Sequence, residues 1–211
     1  MYSTISLKGI YIKNFELKFG LKILCQFFFV ISLLLTPFAA YSSGEEDPSL
    51  WNALRSPGHI ALVRHATAPG TGDPSEFELD DCRTQRNLSE DGRNQARRIG
   101  ERFRVNGMAR VRIYSSQWCR CRETAGLFDL GTVKDLPILN SFFQRFMDRE
   151  RQTQDLVEWL ASQSLDEPLL LVTHQVNITA LTNVYPSSGE IVIIYRSNKG
   201  KISVVGSINT D

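Results

Sequence analysis

Three short runs in this 211-residue chain stop abruptly at polar or basic pairs. Ile60-Ala61-Leu62-Val63 ends at Arg64-His65, Val111 to Tyr114 ends at Ser115-Ser116, and Leu169 to Val172 ends at Thr173-His174. The first and third are unbroken apolar stretches, as in a strand covered on both faces. Pro69, Gly70, Gly72 and Pro74 forbid continuation of the first, and helical segments follow the other two. Buried strands alternating with helices imply an α/β fold, a mostly parallel three-layer sheet with helices on both faces. In such sheets ligands bind beyond the carboxyl ends of the strands. Arg64, His65 and His174 are delivered there directly, and Arg120 arrives in the first turn of the helix after the second strand.

The remaining segments fit around this frame. Residues 1–42 read as a cleavable export signal: Lys8, Lys13, Lys18 and Lys22 precede an apolar run from Ile23 to Leu35, and small residues follow at Ala39, Ala40, Ser42 and Ser43. The run of about thirteen apolar residues is short for a membrane span of about twenty, so no stable anchor is expected after cleavage. Losing four Lys and Glu16 with the signal moves the formal charge from +1 to about −2, which excludes bulk attraction to polyanions. Residues 43–211 read as one domain in an exported, periplasmic protein, of unknown oligomeric state.

A short helix is expected between Gly44 and Pro57, packing Leu50, Trp51 and Leu54 under the sheet. His59 opens the first strand, too far from its carboxyl end to join Arg64 and His65, and is read as structural. Thr67 to Asn87 is a long loop leaving the strand end, expected to wall a pocket. Ser89 caps a helix with Ala96, Ile99, Gly100 and Phe103 on one face. Val133 to Leu136 reads as a third strand, Leu139 to Arg151 as a pocket-side loop, and Leu156, Val157, Leu160 and Ala161 mark an amphipathic helix. A further helix is expected over Asn177 to Val184. Glu190 to Tyr195 and Ile202 to Val205 read as a hairpin on the sheet's edge, joined by Ser197-Asn198-Lys199-Gly200.

Two guanidinium groups and two imidazoles converging on one strand edge suit an oxyanion. The sequence offers no metal-ligand cluster, since His59 is misplaced and Cys119-x-Cys121 lacks zinc-site partners. It has no phosphate-cradling glycine loop and no nucleic-acid signature, so neither a cofactor nor a nucleic-acid partner is expected.

At these residues the chain resembles the histidine phosphatase superfamily, the phosphoglycerate mutase-like proteins. The family's Arg-His-Gly appears as Arg64-His65-Ala66. Its Ser-Ser-x-x-x-Arg-Ala-x-x-Thr-Ala appears as Ser115 to Ala125, and its Ser-His-Gly as Thr173-His174-Gln175. The resemblance implies a phosphatase acting on a phosphorylated small molecule or envelope component, with His65 the residue phosphorylated and Arg64, Arg120 and His174 holding phosphate. A protein phosphohistidine phosphatase, or a phosphate-binding module without turnover, is the alternative. Where the family usually carries a carboxylate to protonate the leaving oxygen, this chain has Asn140-Ser141. Glu76, Glu78, Asp80 or Asp81 of the long loop is expected to substitute, with Asp148 and Glu150 as further candidates.

Loss of Cys25 with the signal leaves Cys82, Cys119 and Cys121 in an oxidising compartment. Cys119 and Cys121, two apart on a helix, are poor partners for each other. A bridge from Cys82 to either is expected, tying the long loop to the helix of Arg120.

Overall fold

The computed structural model describes residues 48–210, so the signal expected over residues 1–42 lies outside the described residues. The chain runs through α1 (Pro48–Leu54), β1 (His59–Arg64), α2 (Glu90–Val105), β2 (Arg112–Ser115), α3 (Cys119–Leu127), β3 (Val133–Asp135), α4 (Arg149–Ser162), β4 (Leu169–Thr173), α5 (Gln175–Thr182), β5 (Ile191–Arg196) and β6 (Ile202–Ile208). The six strands form one sheet in the order β3-β2-β4-β1-β5-β6. β3, β2, β4 and β1 are parallel, and the β5–β6 hairpin is antiparallel at the edge, so the sheet is mixed, with the expected parallel part on one side.

Alternation along the central strands feeds two cores. Ala61 and Val63 of β1, with Leu170 and Val172 of β4, face Trp51 and Leu54 of α1, Ala96, Ile99 and Phe103 of α2, and Ala125 of α3. Ile60 and Leu62, with Leu169 and Leu171, face Leu156 and Leu160 of α4 and Ile178 of α5. Both faces of β1 and β4 are therefore dry, which is why their sequences show no polar alternation.

Ser89 caps α2, its Oγ accepting from Gly92 N at 3.0 Å. In the same helix a Cβ added at Gly100 would lie 2.1 Å from Phe128 O, so this position on the apolar face is small because α2 meets the backbone after α3 there. α4 begins at Arg149, absorbing the last three residues of the stretch read as a pocket-side loop. His59 Nδ1 lies against Ser56 O and Pro57 O at 3.1 and 3.2 Å, away from the carboxyl ends. Among the described residues no helix is long and apolar enough to cross a membrane.

Candidate active site

Parallel register sets the site. Arg64 of β1 stands opposite Thr173 of β4, and Ser115 of β2 opposite Val172, so the three strand ends finish side by side. His65 N donates to Thr173 O at 2.9 Å and Ser116 N to Val172 O at 2.9 Å, extending the ladder just past the strands. Beyond this edge lies a cleft lined by Arg64, His65, Arg120 and His174, the four side chains singled out in the sequence. Asp73 and Arg86 of the long loop line it as well, with Ser141, Phe143 and Gln144 of the segment before α4.

His65 is 2% exposed, and its Nδ1 lies 2.8 Å from Ala66 O. A carbonyl only accepts, so Nδ1 carries the proton and the Nε2 lone pair is left for chemistry. Burial, then the charges of Arg120, Arg86 and Arg64, holds the imidazole well below its ordinary 6.5 despite the Ala66 carbonyl, and so uncharged. His174 is held down likewise, by burial first and Arg120 next. Ala66, where the family has Gly, donates its N–H to Thr124 Oγ1 at 3.1 Å and so fastens the end of β1 to α3.

His174 caps α5 through its backbone; no side chain closes the cap, and Gln175 and Val176 of the first turn border the cleft. Helix N-termini of this kind favour anions. The His174 ring places Nε2 2.9 Å from Ser116 Oγ and Nδ1 3.4 Å from Arg120 Nη2. With the Ser116 hydroxyl donating to Asn140 Oδ1 at 3.2 Å, Nε2–H donates to Ser116 and Nδ1 accepts from Arg120. In this arrangement His174 orients Arg120.

The sequence reading missed Asp73 and Arg86. Asp73 Oδ1 accepts from Arg120 Nη1 at 2.7 Å and from Arg86 N at 3.1 Å; Oδ2 accepts from Arg120 Nη2 and from Trp118 Nε1, both at 3.0 Å. The Arg120 and Asp73 side chains are 3% and 5% exposed. Burial pushes the Asp73 carboxyl up, but the hydrogen bonds and charge of Arg120 outweigh it and hold the group below 3.8. Arg86 is braced by donating from Nε to Gly72 O at 2.7 Å and from Nη1 to Ala68 O at 2.5 Å. Gly72, at φ +71°, makes the turn that points its carbonyl at Arg86. The available signal was the loop's departure from the strand end; which of its charges turns inward depends on contacts distant in sequence.

The expectation of a substitute acid is corrected. Glu76, Glu78 and Asp80 are exposed, Asp81 is spent on Arg83 at 2.6 Å, and none of them lines the cleft. The loop bonds to itself there, Gln85 Nε2 donating to Glu78 O and Leu79 O, which leaves those side chains turned to solvent. Asp148 pairs with Arg145 and Arg151, and Glu150 is exposed. The Asn140 amide is locked, accepting from Gln117 N at 2.9 Å and donating to Gln117 Oε1 at 2.9 Å. The Cys82 bridge forms to Cys119, and Cys121 is a buried free thiol that burial raises to about 12. Among the described residues no group of His, Cys, Asp and Glu could hold a metal ion.

The sequence profile of the histidine phosphatase superfamily, branch 1, matches residues 60–142, the span from β1 through the long loop and Arg120 to Phe142. Over these residues the chain carries the sequence pattern of the histidine phosphatase superfamily. Solved structures share its fold at low identity. The protein histidine phosphatase SixA, complexed with tungstate, aligns over 72% of this chain and 97% of its own at 14% identity and TM-score 0.53. A phosphoserine phosphatase from Entamoeba histolytica in complex with phosphoserine covers 72% and 98% at 12% identity and TM-score 0.54. A mycobacterial glucosyl-3-phosphoglycerate phosphatase covers 72% and 98% at 17% identity and TM-score 0.51. No curated protein sequence matches the chain.

Proposed function

We propose that this protein is a phosphatase that hydrolyses a phosphate monoester through a phosphohistidine intermediate on His65. The observation that carries the reading is His65 itself: buried, uncharged, its Nδ1–H committed to Ala66 O, and set among Arg64, Arg86 and Arg120 around one cleft. In the first step the Nε2 lone pair forms a bond to phosphorus as the bond to the leaving oxygen breaks. In the second, water attacks phosphorus, the N–P bond breaks, and phosphate departs. The arginines stay charged throughout and stabilise the oxygens on which charge spreads in the transition state. Export to the periplasm is part of the proposal, supported by the basic and apolar leader and by the Cys82–Cys119 bridge, which suits an oxidising compartment.

The leaving oxygen finds no carboxylic acid. Asn140 is an amide, and Asp73, the carboxylate at the cleft, is ionised and holds four donors. A positioned acid contributes roughly 10² to 10⁴-fold, and only where the leaving group needs a proton. The protein should therefore favour aryl esters and phosphoramidates, which keeps the phosphohistidine phosphatase reading in play. Turnover of p-nitrophenyl phosphate by wild type and none by His65→Ala is expected, with rates falling steeply as leaving-group pKa rises. Glu76→Gln, Glu78→Gln, Asp80→Asn and Asp81→Asn should leave that slope unchanged. A wild-type protein that binds phosphate without turnover would establish the binding-module alternative.

A further inference from the structure

The Arg120 guanidinium has two usable edges, and a carboxylate holds one of them. Asp73 takes the end-on edge, bonded to Nη1 at 2.7 Å and Nη2 at 3.0 Å. The other edge consists of Nε, which is buried and has no partner, and the second proton of Nη2, which lies toward His174 Nδ1 at 3.4 Å. An oxyanion that takes that side edge leaves Asp73 in place and replaces His174 Nδ1 as the partner of Nη2. The Asp73 oxygens, with two donors each, are saturated, so the carboxylate has no capacity left for a proton or a substrate hydroxyl.

Charge gives this placement a second consequence. Arg64, Arg86 and Arg120 bring three positive charges to the cleft while His65 and His174 stay neutral. Asp73 reduces the sum to two, the charge of a monoester dianion and of the phosphate product. Three unopposed guanidiniums would hold the ground state and product as firmly as the transition state, and uniform binding of that kind does not raise turnover.

Resting on the reading of this cleft as a phosphate site, we propose that Asp73 is a positioning residue for the reaction. It fixes the plane of Arg120 so that the Nε–Nη2 edge meets phosphate, and it weakens ground-state oxyanion binding so that product leaves.

The test separates affinity from turnover. Asp73→Asn keeps the shape and removes the charge; Asp73→Ser, with a hydroxyl that still accepts hydrogen bonds, serves as the second variant. Tungstate binding, measured by calorimetry, should tighten at least about fivefold in these variants, because a like charge beside the anion has gone. Their kcat on p-nitrophenyl phosphate should fall about tenfold or more, as Arg120 loses its fixed plane and product lingers. Adding Arg86→Gln to Asp73→Asn restores the cleft's charge and should return tungstate affinity to near the wild-type value. A purely structural role predicts weaker tungstate binding alongside weaker turnover. Unchanged or weakened tungstate affinity in the single variants overturns the proposal. Lack of wild-type turnover would count against the phosphatase reading instead, since tungstate binding is read without catalysis.

Discussion

At His65 and His174 the fold replaces water with protein and surrounds both imidazoles with guanidinium groups. The nucleophile proposed here must be uncharged, and burial does the larger part of keeping it so, with Arg120 next. Because both values are depressed from 6.5, the rings remain neutral as pH falls through that value, while the same rings in an unfolded chain take up protons. Two consequences follow with definite signs. Turnover at saturating substrate should stay level as pH drops from about 7.5 to 6.5, and a loss of kcat with its midpoint at 6.5 would contradict the assigned state of His65. Folding stability should decline over the same direction, because the unfolded chain binds more protons; the slope should be about 1.4 kcal/mol per pH unit near 6.5, where the unfolded rings are half protonated, and should approach about 2.7 toward pH 5.5 if both rings contribute fully. Denaturant titrations at pH 7.5 and 5.5 measure this decline. Equal stability at the two values would remove the depressed imidazoles from the account.

At the scale of elements, the loop from Thr67 to Asn87 and the start of α3 behave as one unit. The Cys82–Cys119 bridge joins them, Cys119 N donates to Gln85 Oε1 at 3.0 Å, and Arg86 N and Trp118 Nε1 both donate to Asp73. Arg120 follows Cys119 directly, so the bridge holds the segment that sets the Arg120–Asp73 contact. Closing 37 residues of chain constrains the unfolded state, and removal of such a native bridge costs about 2–5 kcal/mol. Cys82→Ser should lose stability in that range and raise KM for p-nitrophenyl phosphate several-fold. Reductant should reproduce both effects in wild type and add nothing to the variant. An unchanged KM in reduced wild-type protein would separate the bridge from the site.

Over the whole molecule, what was legible in the sequence was what regular structure determines. Ile60 to Val63 and Leu169 to Val172 show strands dry on both faces, and with parallel pairing that places Arg64, His65 and His174 at one edge. The Ser197 to Gly200 turn gave the edge hairpin for the same local reason. Loop interiors were not legible in this way. Asp73 and Glu76 are alike in sequence terms, both acids beside Gly, Pro or Ser, yet only Asp73 meets a buried guanidinium 47 residues away. The role expected for Arg120 was likewise incomplete, because half of its hydrogen-bonding edge is taken by a residue no spacing rule connects to it. These contacts arise from packing the loop over the sheet edge, and they supply the cleft's charge. The measurement that tests the central claim most directly is capture of the phosphoenzyme. Wild-type protein mixed with labelled phosphate ester and quenched without acid should carry label on the peptide containing His65, and His65→Ala should carry none. Equal labelling of the two proteins, or label on another residue in wild type, would contradict the account.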